Sequence, residues 1–253
     1  EYSYRDYGNR IGFWRMLEVL EAYARSRLGR VSLPARAAPR FAKLMQAIAR
    51  IPAAPPIGRE EVLARWPELE GHVTLVDACL DRYPEVLSGQ VDPLSVLFPD
   101  GSFALVEPIY RNNPVADYFN GVVAEVVRRF AELRGRKLRI IEIGAGTGST
   151  TEAVFCALQG LEVHYRFTDL SHAFLHRARR RFAAQAGIEY SVYDVERPAT
   201  FERGFDVVIA TNVLHATRRL ETTVRNVRDL LGEGGILVIN EVTARKDFAT
   251  LTF

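Results

Sequence analysis

The sequence has little of several features that mark particular classes of protein. Its 253 residues include only two cysteines, Cys79 and Cys156, which lie far apart and in no metal-binding spacing. We therefore expect free, buried or half-buried thiols in a reducing, cytoplasmic compartment, and no metal site. No apolar run approaches the roughly 20 residues that a membrane helix needs. The net charge of +2 argues neither for nor against nucleic acid, and we predict neither a membrane nor a nucleic-acid partner.

The composition is otherwise that of a globular protein. Hydrophobic residues make up 48% of the chain and charged residues 25%, which is enough for a sizeable core. The first residues, 1–6, are polar and do not form a signal peptide. The chain begins without methionine, so we expect it to be a piece of a longer protein.

Apolar residues recur at helical spacing in the first part of the chain. The segments run from Ile11 to Tyr23, from Phe41 to Ile48, from Val62 to Leu69 and from Val73 to Tyr83, with Pro84 expected to stop the last. Turn and breaker residues follow between 90 and 114, and a further helix is expected over about 115–133. We therefore predict a helical region over residues 1–95 and a connector with its helix over 96–134.

Strands and helices alternate over the remainder, residues 135–253. The strand candidates are Leu138–Ile143, Val163–Thr168, Glu189–Tyr193, Phe205–Ala210 and Ile236–Asn240, with helical stretches near 149–158, 171–185 and 219–231. This rhythm predicts an α/β fold with a doubly wound, mainly parallel sheet.

A glycine-rich loop follows the first strand. Gly144, Gly146 and Gly148 are placed so that a ligand can approach the backbone closely. The third glycine comes two residues after the second, which departs from the spacing of dinucleotide-binding loops. Glu142 ends the strand, where its carboxylate can help fix the loop and attract a cationic ligand. These features favour a sulfonium nucleoside, S-adenosylmethionine, over a dinucleotide.

Acidic residues also end the next two strands. Asp169 is placed to accept hydrogen bonds from both hydroxyls of a ribose, and Asp194 to reach an adenine amino group. In a parallel sheet both lie at the edge where ligands bind. The alternative is a structural turn with unrelated acids at the strand ends.

A histidine and a glutamate follow the fourth and fifth strands. His215 lies in the loop Thr211–Ala216 and Glu241 directly follows Asn240. Neutral histidine is the usual general base near neutral pH, and a carboxylate beside it would fix its tautomer. We therefore predict a catalytic His215–Glu241 pair, with Asn212 of the same loop among the cofactor-binding residues. The alternative for His215 is a packing role.

Two further features are open to more than one interpretation. Residues 177–181 contain four arginines on a predicted helix, and we expect them to form a solvated face. Tyr110 and Tyr118 precede or begin the helix that leads into the sheet. They are candidates for contact with the substrate, and packing between the helical region and the sheet is the alternative.

Several motifs together resemble the C-methyltransferase domains of modular polyketide synthases. They are Glu142–Gly148, Phe167–Ser171, Asn212–Thr217 and Leu230–Gly235 in the sheet region, and Leu97–Gly101, Val106–Tyr110 and Asn113–Asn120 before it. The upstream motifs resemble the trans-acyltransferase branch in particular. The resemblance covers about residues 95–253, and the helical first part is similar to the family's lid in character.

The resemblance implies a class I, Rossmann-like methyltransferase with an N-terminal helical lid. It implies S-adenosylmethionine as cofactor and an acyl carrier protein as partner, beside neighbouring synthase domains. The substrate would be a β-ketoacyl chain on the carrier's phosphopantetheine arm, methylated at its α-carbon, with His215 and Glu241 as the catalytic dyad. The resemblance also implies a seven-stranded sheet. Because only five strands are predicted in this sequence, the last two are expected to be missing. An inactive scaffold domain and a small-molecule O- or N-methyltransferase are the alternatives.

Overall fold

The structure is a computed structural model that describes the backbone of residues 4–252 and the side chains of residues 14–252. The polar residues 1–3 and the side chain of Ile11 lie outside this part. The chain divides into two compact units. A helical unit contains the residues up to 116 together with those from 244 onward, and an α/β unit contains residues 117–243.

The helical unit is built from helices of very different length. They are α1 (Tyr4–Leu28), α2 (Ala42–Ile48), α3 (Arg59–Arg65), α4 (Glu70–Asp81), α5 (Tyr83–Leu87), α6 (Pro93–Leu97), α7 (Glu107–Tyr110) and, after the sheet, α12 (Asp247–Leu251). Short 3₁₀ helices cover Pro39–Phe41, Pro67–Leu69 and Pro99–Gly101. A single apolar core joins α1, α4 and α12, with Tyr23, Val76 and Leu251 fully buried in it.

Prolines that the sequence indicates as breakers begin new helices here. Pro84 lies in the first turn of α5 and does not simply end α4, and Pro93 and Pro108 begin α6 and α7 in the same way. The first turn of a helix has N–H groups without helical partners, so proline costs little there. The predicted third helix is divided for a related reason: α3 ends at Arg65, and Pro67 opens a separate 3₁₀ turn.

The α/β unit contains all five predicted strands. They are β1 (Leu138–Ile143), β2 (Val163–Asp169), β3 (Ile188–Val192), β4 (Phe205–Thr211) and β5 (Leu231–Asn240). Its helices are α8 (Pro114–Arg134), which leads into the sheet and belongs to this unit from residue 117 onward, α9 (Ser149–Ala157), α10 (His172–Arg181) and α11 (Leu220–Arg228), with a 3₁₀ turn at Leu214–Ala216.

The sheet has the order β3-β2-β1-β4-β5, and all four strand pairings are parallel. Central strands are covered on both faces, which explains the nearly continuous apolar sequence of β4. Ile140 and Ile209 face the side covered by α8 and α9, whereas Ile141 and Val208 face the side covered by α11. The predicted doubly wound α/β fold and the N-terminal helices are confirmed.

The division by contacts differs from the predicted regions 1–95, 96–134 and 135–253. Residues 96–116 and those from 244 onward belong to the helical unit. The second of these segments joins it through Asp247, which accepts a hydrogen bond from Arg25, and through the Leu251 carbonyl, which accepts one from the Tyr83 hydroxyl at 2.8 Å. The roles of lid, connector and core that the sequence suggested for the three regions stay predictions.

Residues 4–252 contain neither a helix that could span a membrane nor a cluster of residues that could bind a metal ion. No helix in this part of the chain is long and apolar enough to cross a membrane. The described residues contain no cluster of three or more histidine, cysteine or carboxylate side chains that could hold a metal ion. Both cysteines are free, but Cys156 is exposed and only Cys79 is buried.

Candidate active site

The glycine loop runs from the end of β1 to the start of α9. Gly144, Gly146 and Gly148 all have positive φ angles, of 59°, 52° and 78°. A Cβ atom added to Gly146 would meet no atom closer than 3.8 Å, so the backbone there is open to close approach by a ligand. A Cβ atom added to Gly144 would instead lie 2.5 Å from Cγ2 of Val213, in the loop after β4.

Glu142 lies under this loop and is almost completely buried, with 1% of its surface exposed. One carboxylate oxygen accepts hydrogen bonds from the Thr151 hydroxyl on α9 and from the Tyr165 hydroxyl on β2, the latter at 2.5 Å. Burial raises the pKa of Glu142 to about 7. Glu142 therefore joins β1, β2 and α9 beneath the loop. Nothing in the sequence identified Thr151 or Tyr165 as its partners.

Asp169 ends β2 and is bonded directly to the glycine loop. Its Oδ2 accepts the Gly146 backbone N–H at 2.9 Å, and its Oδ1 accepts the Ser171 N–H at 2.8 Å. Burial raises the pKa of this carboxyl group, although these backbone N–H groups oppose the shift. Each carboxylate oxygen can accept a second hydrogen bond, so both stay available to the hydroxyls of a ligand.

Asp194 follows β3 by two residues and is more exposed than Asp169. Its Oδ1 accepts the Glu196 backbone N–H at 3.0 Å, and its Oδ2 lies 3.3 Å from Arg197 Nε. The first contact fixes the turn after β3. Because all strands are parallel, Asp194, Asp169 and the glycine loop lie at the same edge of the sheet, as predicted from their order in the chain.

His215 and Glu241 are in direct contact at this same edge. His215 Nδ1 lies 2.6 Å from Glu241 Oε2. The other oxygen, Oε1, accepts the backbone N–H groups of Val213 at 2.9 Å and Leu214 at 2.7 Å. The His215 side chain is 58% exposed and that of Glu241 only 15%. The carboxylate is thus shielded and held in place, while the imidazole is accessible.

Asn212 introduces the loop that carries His215. It has a φ of +51°, a left-handed conformation that asparagine tolerates better than most residues. Its backbone N–H donates to the Asn240 carbonyl at 2.8 Å, which ties the end of β4 to the end of β5. The structure therefore gives Asn212 a backbone role at the site edge, and its cofactor-binding role stays a prediction.

A second histidine also contacts a glutamate, but at the other end of the sheet. His164 Nε2 lies 2.8 Å from Glu189 Oε1, and Arg166 binds the same carboxylate. This pair holds two neighbouring strands together near their amino ends, away from the glycine loop. Contact with a carboxylate is therefore insufficient to identify a catalytic histidine. The position of His215 at the carboxyl edge is what sets it apart.

The arginine run on α10 is only partly a solvated face. Arg179 and Arg180 are exposed, but Arg181 has only 16% of its side chain exposed. Its guanidinium donates to the Thr147 carbonyl within the glycine loop at 2.6 Å and to Glu152 on α9 at 2.5 Å. The expectation of a solvated face is wrong for Arg181, because its side chain turns back towards the loop.

The two tyrosines proposed to contact the substrate lie in different units. Tyr110 ends α7 in the helical unit and is 42% exposed. Tyr118 lies in the α/β unit on α8, half-buried, and its ring packs against that of Phe119 with 5.3 Å between centroids. Their role at the substrate stays a prediction.

Comparison with known proteins agrees with this geometry. A family profile described as a methyltransferase domain matches residues 141–237. The crystal structure of the DszA carbon methyltransferase is 29% identical and superposes with a TM-score of 0.86 over 100% of this chain and 78% of that one. The trans-methyltransferase CalH, solved in complex with SAH, is 28% identical with a TM-score of 0.74 over 96% of this chain and 75% of that one. The chain belongs to the S-adenosylmethionine-dependent methyltransferases.

The methyltransferase is also similar to parts of much longer enzymes. Polyketide synthase PksR of Bacillus subtilis is 40% identical over 198 residues, which are 73% of this chain and 8% of that protein. The chain thus spans less than a tenth of that synthase. The predicted resemblance to polyketide synthase C-methyltransferase domains and the predicted cofactor are confirmed. The individual roles of Glu142, Asp169, Asp194, His215 and Glu241 stay predictions.

Proposed function

We propose that the methyltransferase adds a methyl group to the α-carbon of a β-ketoacyl thioester carried by an acyl carrier protein during polyketide synthesis. Two observations support this beyond the family itself. One is the contact of 2.6 Å between His215 and Glu241 at the cofactor edge of the sheet. The other is the similarity to the DszA carbon methyltransferase, whose structure matches the whole of this chain.

The dyad supplies what carbon methylation requires. A carbon acid has no lone pair to offer until it loses a proton, so a base is needed before a C–C bond can form. Because Glu241 accepts at Nδ1, the neutral imidazole carries its proton there and leaves Nε2 free to act as the base. Nε2 takes the α-proton, which is acidic because a ketone and a thioester flank it, and the electron pair passes into an enolate. Glu241 then stabilises the imidazolium.

The cofactor-binding residues are suited to a cationic nucleoside. Asp169 would hold the ribose hydroxyls and Asp194 the adenine amino group, while the open backbone at Gly146 allows close approach. When bound, S-adenosylmethionine would supply an electrophilic methyl group, with the bond to sulfur broken as the bond to the α-carbon forms. Holding two reactants together in this way removes much of the entropic barrier, and the base contributes about 10²–10⁴-fold.

The proposed partner is an acyl carrier protein within a synthase. Its phosphopantetheine arm would deliver the acyl chain to His215, whose imidazole is exposed. The helices of residues 1–95 would act as a lid over the substrate. Neighbouring synthase domains are the other expected partners, in a reducing cytoplasmic compartment.

Deprotonation by the dyad also fits an O-methyltransferase, because a hydroxyl group gains nucleophilicity when it loses its proton. It fits N-methylation less well, since a neutral amine already offers a lone pair. A matched pair of thioesters, one with a β-keto and one with a β-hydroxy group, separates the first two activities. Modification of the hydroxy thioester alone would contradict carbon methylation.

Intact-protein mass spectrometry of the loaded carrier protein tests the proposal. With S-adenosylmethionine and the parent enzyme, the β-ketoacyl chain should gain the mass of one methylene group, and fragmentation should place it at the α-carbon. His215→Ala should lose this product while cofactor affinity, measured by calorimetry, stays close to that of the parent. Cofactor binding without turnover in the parent would indicate an inactive scaffold domain instead.

A further inference from the structure

The side chain of Val213 occupies the space beside the first glycine of the loop. A Cβ atom at Gly144 would lie 2.5 Å from Val213 Cγ2 and 3.0 Å from Val213 Cβ, closer than side chains pack. Gly144 is therefore required both by its φ of +59° and by this neighbour. The contact joins the loop after β1 to the loop after β4.

The backbone of the same residue belongs to the dyad. The Val213 N–H donates to Glu241 Oε1 at 2.9 Å, and the second oxygen of that carboxylate binds His215. Val213 thus contacts the cofactor loop with its side chain and the carboxylate of the proposed base with its backbone. A β-branched side chain suits this position because its χ1 angle has few alternatives.

The flanking residues leave the loop little freedom. Before Val213, Asn212 is held in a left-handed conformation with its N–H on the Asn240 carbonyl at 2.8 Å. After it, Leu214 is buried, with 4% of its surface exposed, and its N–H also binds Glu241. The loop is therefore fixed to the β5 side by its backbone, and Val213 fixes it to the glycine loop.

We propose that Val213 is a positioning residue that sets the distance between the cofactor loop and the His215–Glu241 dyad. The inference rests on the proposed function, because it assumes that His215 acts on a substrate held beside the cofactor. Rate depends steeply on such distances, and a displacement of about 1 Å can cost roughly 10²-fold. Neither the sequence motifs nor the dyad itself assigns a role to this side chain.

The first test truncates Val213 and compares it with a buried valine elsewhere. Val213→Ala should lower kcat by about 10²-fold, with the KM and the dissociation constant of S-adenosylmethionine little changed. The control is Val227→Ala on α11, which is fully buried in the same apolar cluster and should lower Tm without lowering kcat in the folded enzyme. Val213→Thr keeps the branched shape and should restore most of the rate. Equal kcat values for Val213→Ala and the parent would overturn the proposal.

A second measurement does not depend on turnover. ¹⁵N NMR of the His215 ring reports which nitrogen carries the proton, and the parent should show it on Nδ1, facing Glu241. Val213→Ala should shift the ring ¹⁵N resonances, because the loop that carries His215 moves relative to Glu241, whereas Val227→Ala should leave the spectrum unchanged. If the parent fails to methylate the thioester but this difference is found, the proposed function fails and the positioning role stands. An unchanged ring spectrum in Val213→Ala contradicts the positioning role.

A third test examines the contact itself. Gly144→Ala should weaken S-adenosylmethionine binding strongly in the parent, because the new Cβ atom meets Val213. In the Val213→Ala background the contact at 2.5 Å is gone and only the one at 3.0 Å is left, so the same change should cost less affinity. Identical losses in both backgrounds would show that the two loops are not coupled through this side chain.

Discussion

Glu241 binds His215 with one carboxylate oxygen at 2.6 Å, while the other oxygen faces the backbone N–H groups of Val213 and Leu214. These two N–H groups require an acceptor. A glutamine in place of Glu241 has only one side-chain oxygen, and that oxygen would accept the hydrogen bonds from the two backbone N–H groups. The amide NH₂ would then point at His215 Nδ1 and favour the tautomer whose proton is on Nε2.

Glu241→Gln should therefore be nearly as damaging as His215→Ala, although an isolated amide can still accept a hydrogen bond from imidazole. An inverted histidine tautomer of this kind costs about 10⁴-fold in kcat in a Ser-His-Asp triad. Single-turnover rates with a β-ketoacyl thioester measure the effect. The double variant should be little worse than His215→Ala alone, since the two residues act as a unit. Near-parent turnover by Glu241→Gln would mean that the backbone contacts do not control the tautomer.

Asp169→Asn should weaken cofactor binding. The asparagine side chain has only one oxygen to accept from the N–H groups of Gly146 and Ser171. One of these N–H groups would therefore lose its acceptor and face the NH₂ group of the asparagine instead. Losing a hydrogen bond to a charged group costs about 1.5–3 kcal/mol, or roughly 10- to 100-fold in affinity.

Calorimetry with S-adenosylmethionine measures this loss, and the parent should show no binding of NAD. Asp206→Asn is the matched control, because Asp206 is buried near the opposite end of the sheet and binds Arg136. It should lower stability and leave cofactor affinity intact. If both variants bind the cofactor equally well, Asp169 has no part in the site.

Glu142 should make stability fall as the pH rises. Burial raises its pKa from 4.5 to about 7, so the folded state binds more protons than the unfolded state between these two values. The contribution of Glu142 to the free energy of unfolding is therefore largest below pH 4.5. It declines as the pH rises and is lost once the pH passes about 7. The full decline is about 3 kcal/mol.

Glu142→Gln isolates this contribution. Both hydroxyl donors reach the same carboxylate oxygen, so the glutamine oxygen can accept both. Urea denaturation of the parent and the variant at several pH values gives the difference between them, in which the other titrating groups cancel. The free energy of unfolding of the variant should rise relative to that of the parent as the pH increases from 4.5 to 7. A difference that does not change with pH would place the Glu142 pKa near its ordinary value.

Arg181 should contribute to cofactor affinity without contacting the cofactor. Its guanidinium holds the Thr147 carbonyl inside the glycine loop and Glu152 on the following helix. Arg181→Gln should loosen the loop and weaken S-adenosylmethionine binding about 10-fold. The neighbouring Arg180 is exposed, so Arg180→Gln provides the control and should bind as the parent does. Equal affinities for the two variants would show that the Arg181 contact with the glycine loop does not affect cofactor binding.

The sequence predicts the sheet well because each strand is a short segment rich in apolar and aromatic residues that alternates with a helical segment. The predicted bounds of β1 match the structure, whereas β5 begins at Leu231, before the predicted Ile236, because Gly234 and Gly235 resemble a turn. Proline was the main source of error in the helical unit. Its effect depends on whether it falls in the first turn or in the interior of a helix, and apolar spacing does not reveal that.

The site residues could be predicted only as far as strand order determines them. Parallel strands bring their carboxyl ends together, which is enough to place His215 near Glu241. The second Glu241 oxygen, the contact of Val213 with Gly144 and the inward turn of Arg181 depend on loop and rotamer conformations. No spacing of residue types encodes these, so they emerge only from the folded structure.

The attachment of Asp247 and Leu251 to α1 and α5 has a consequence for how the protein is made. The helices of residues up to 116 are translated early, yet the residues that complete their core are translated only after the five strands β1–β5. Of the two units, the helical one therefore begins first in the chain and is completed only after β5. An engineer who exchanges this unit between synthases must transfer two separate segments of the gene, since the first alone would expose the apolar surface that Leu251 covers.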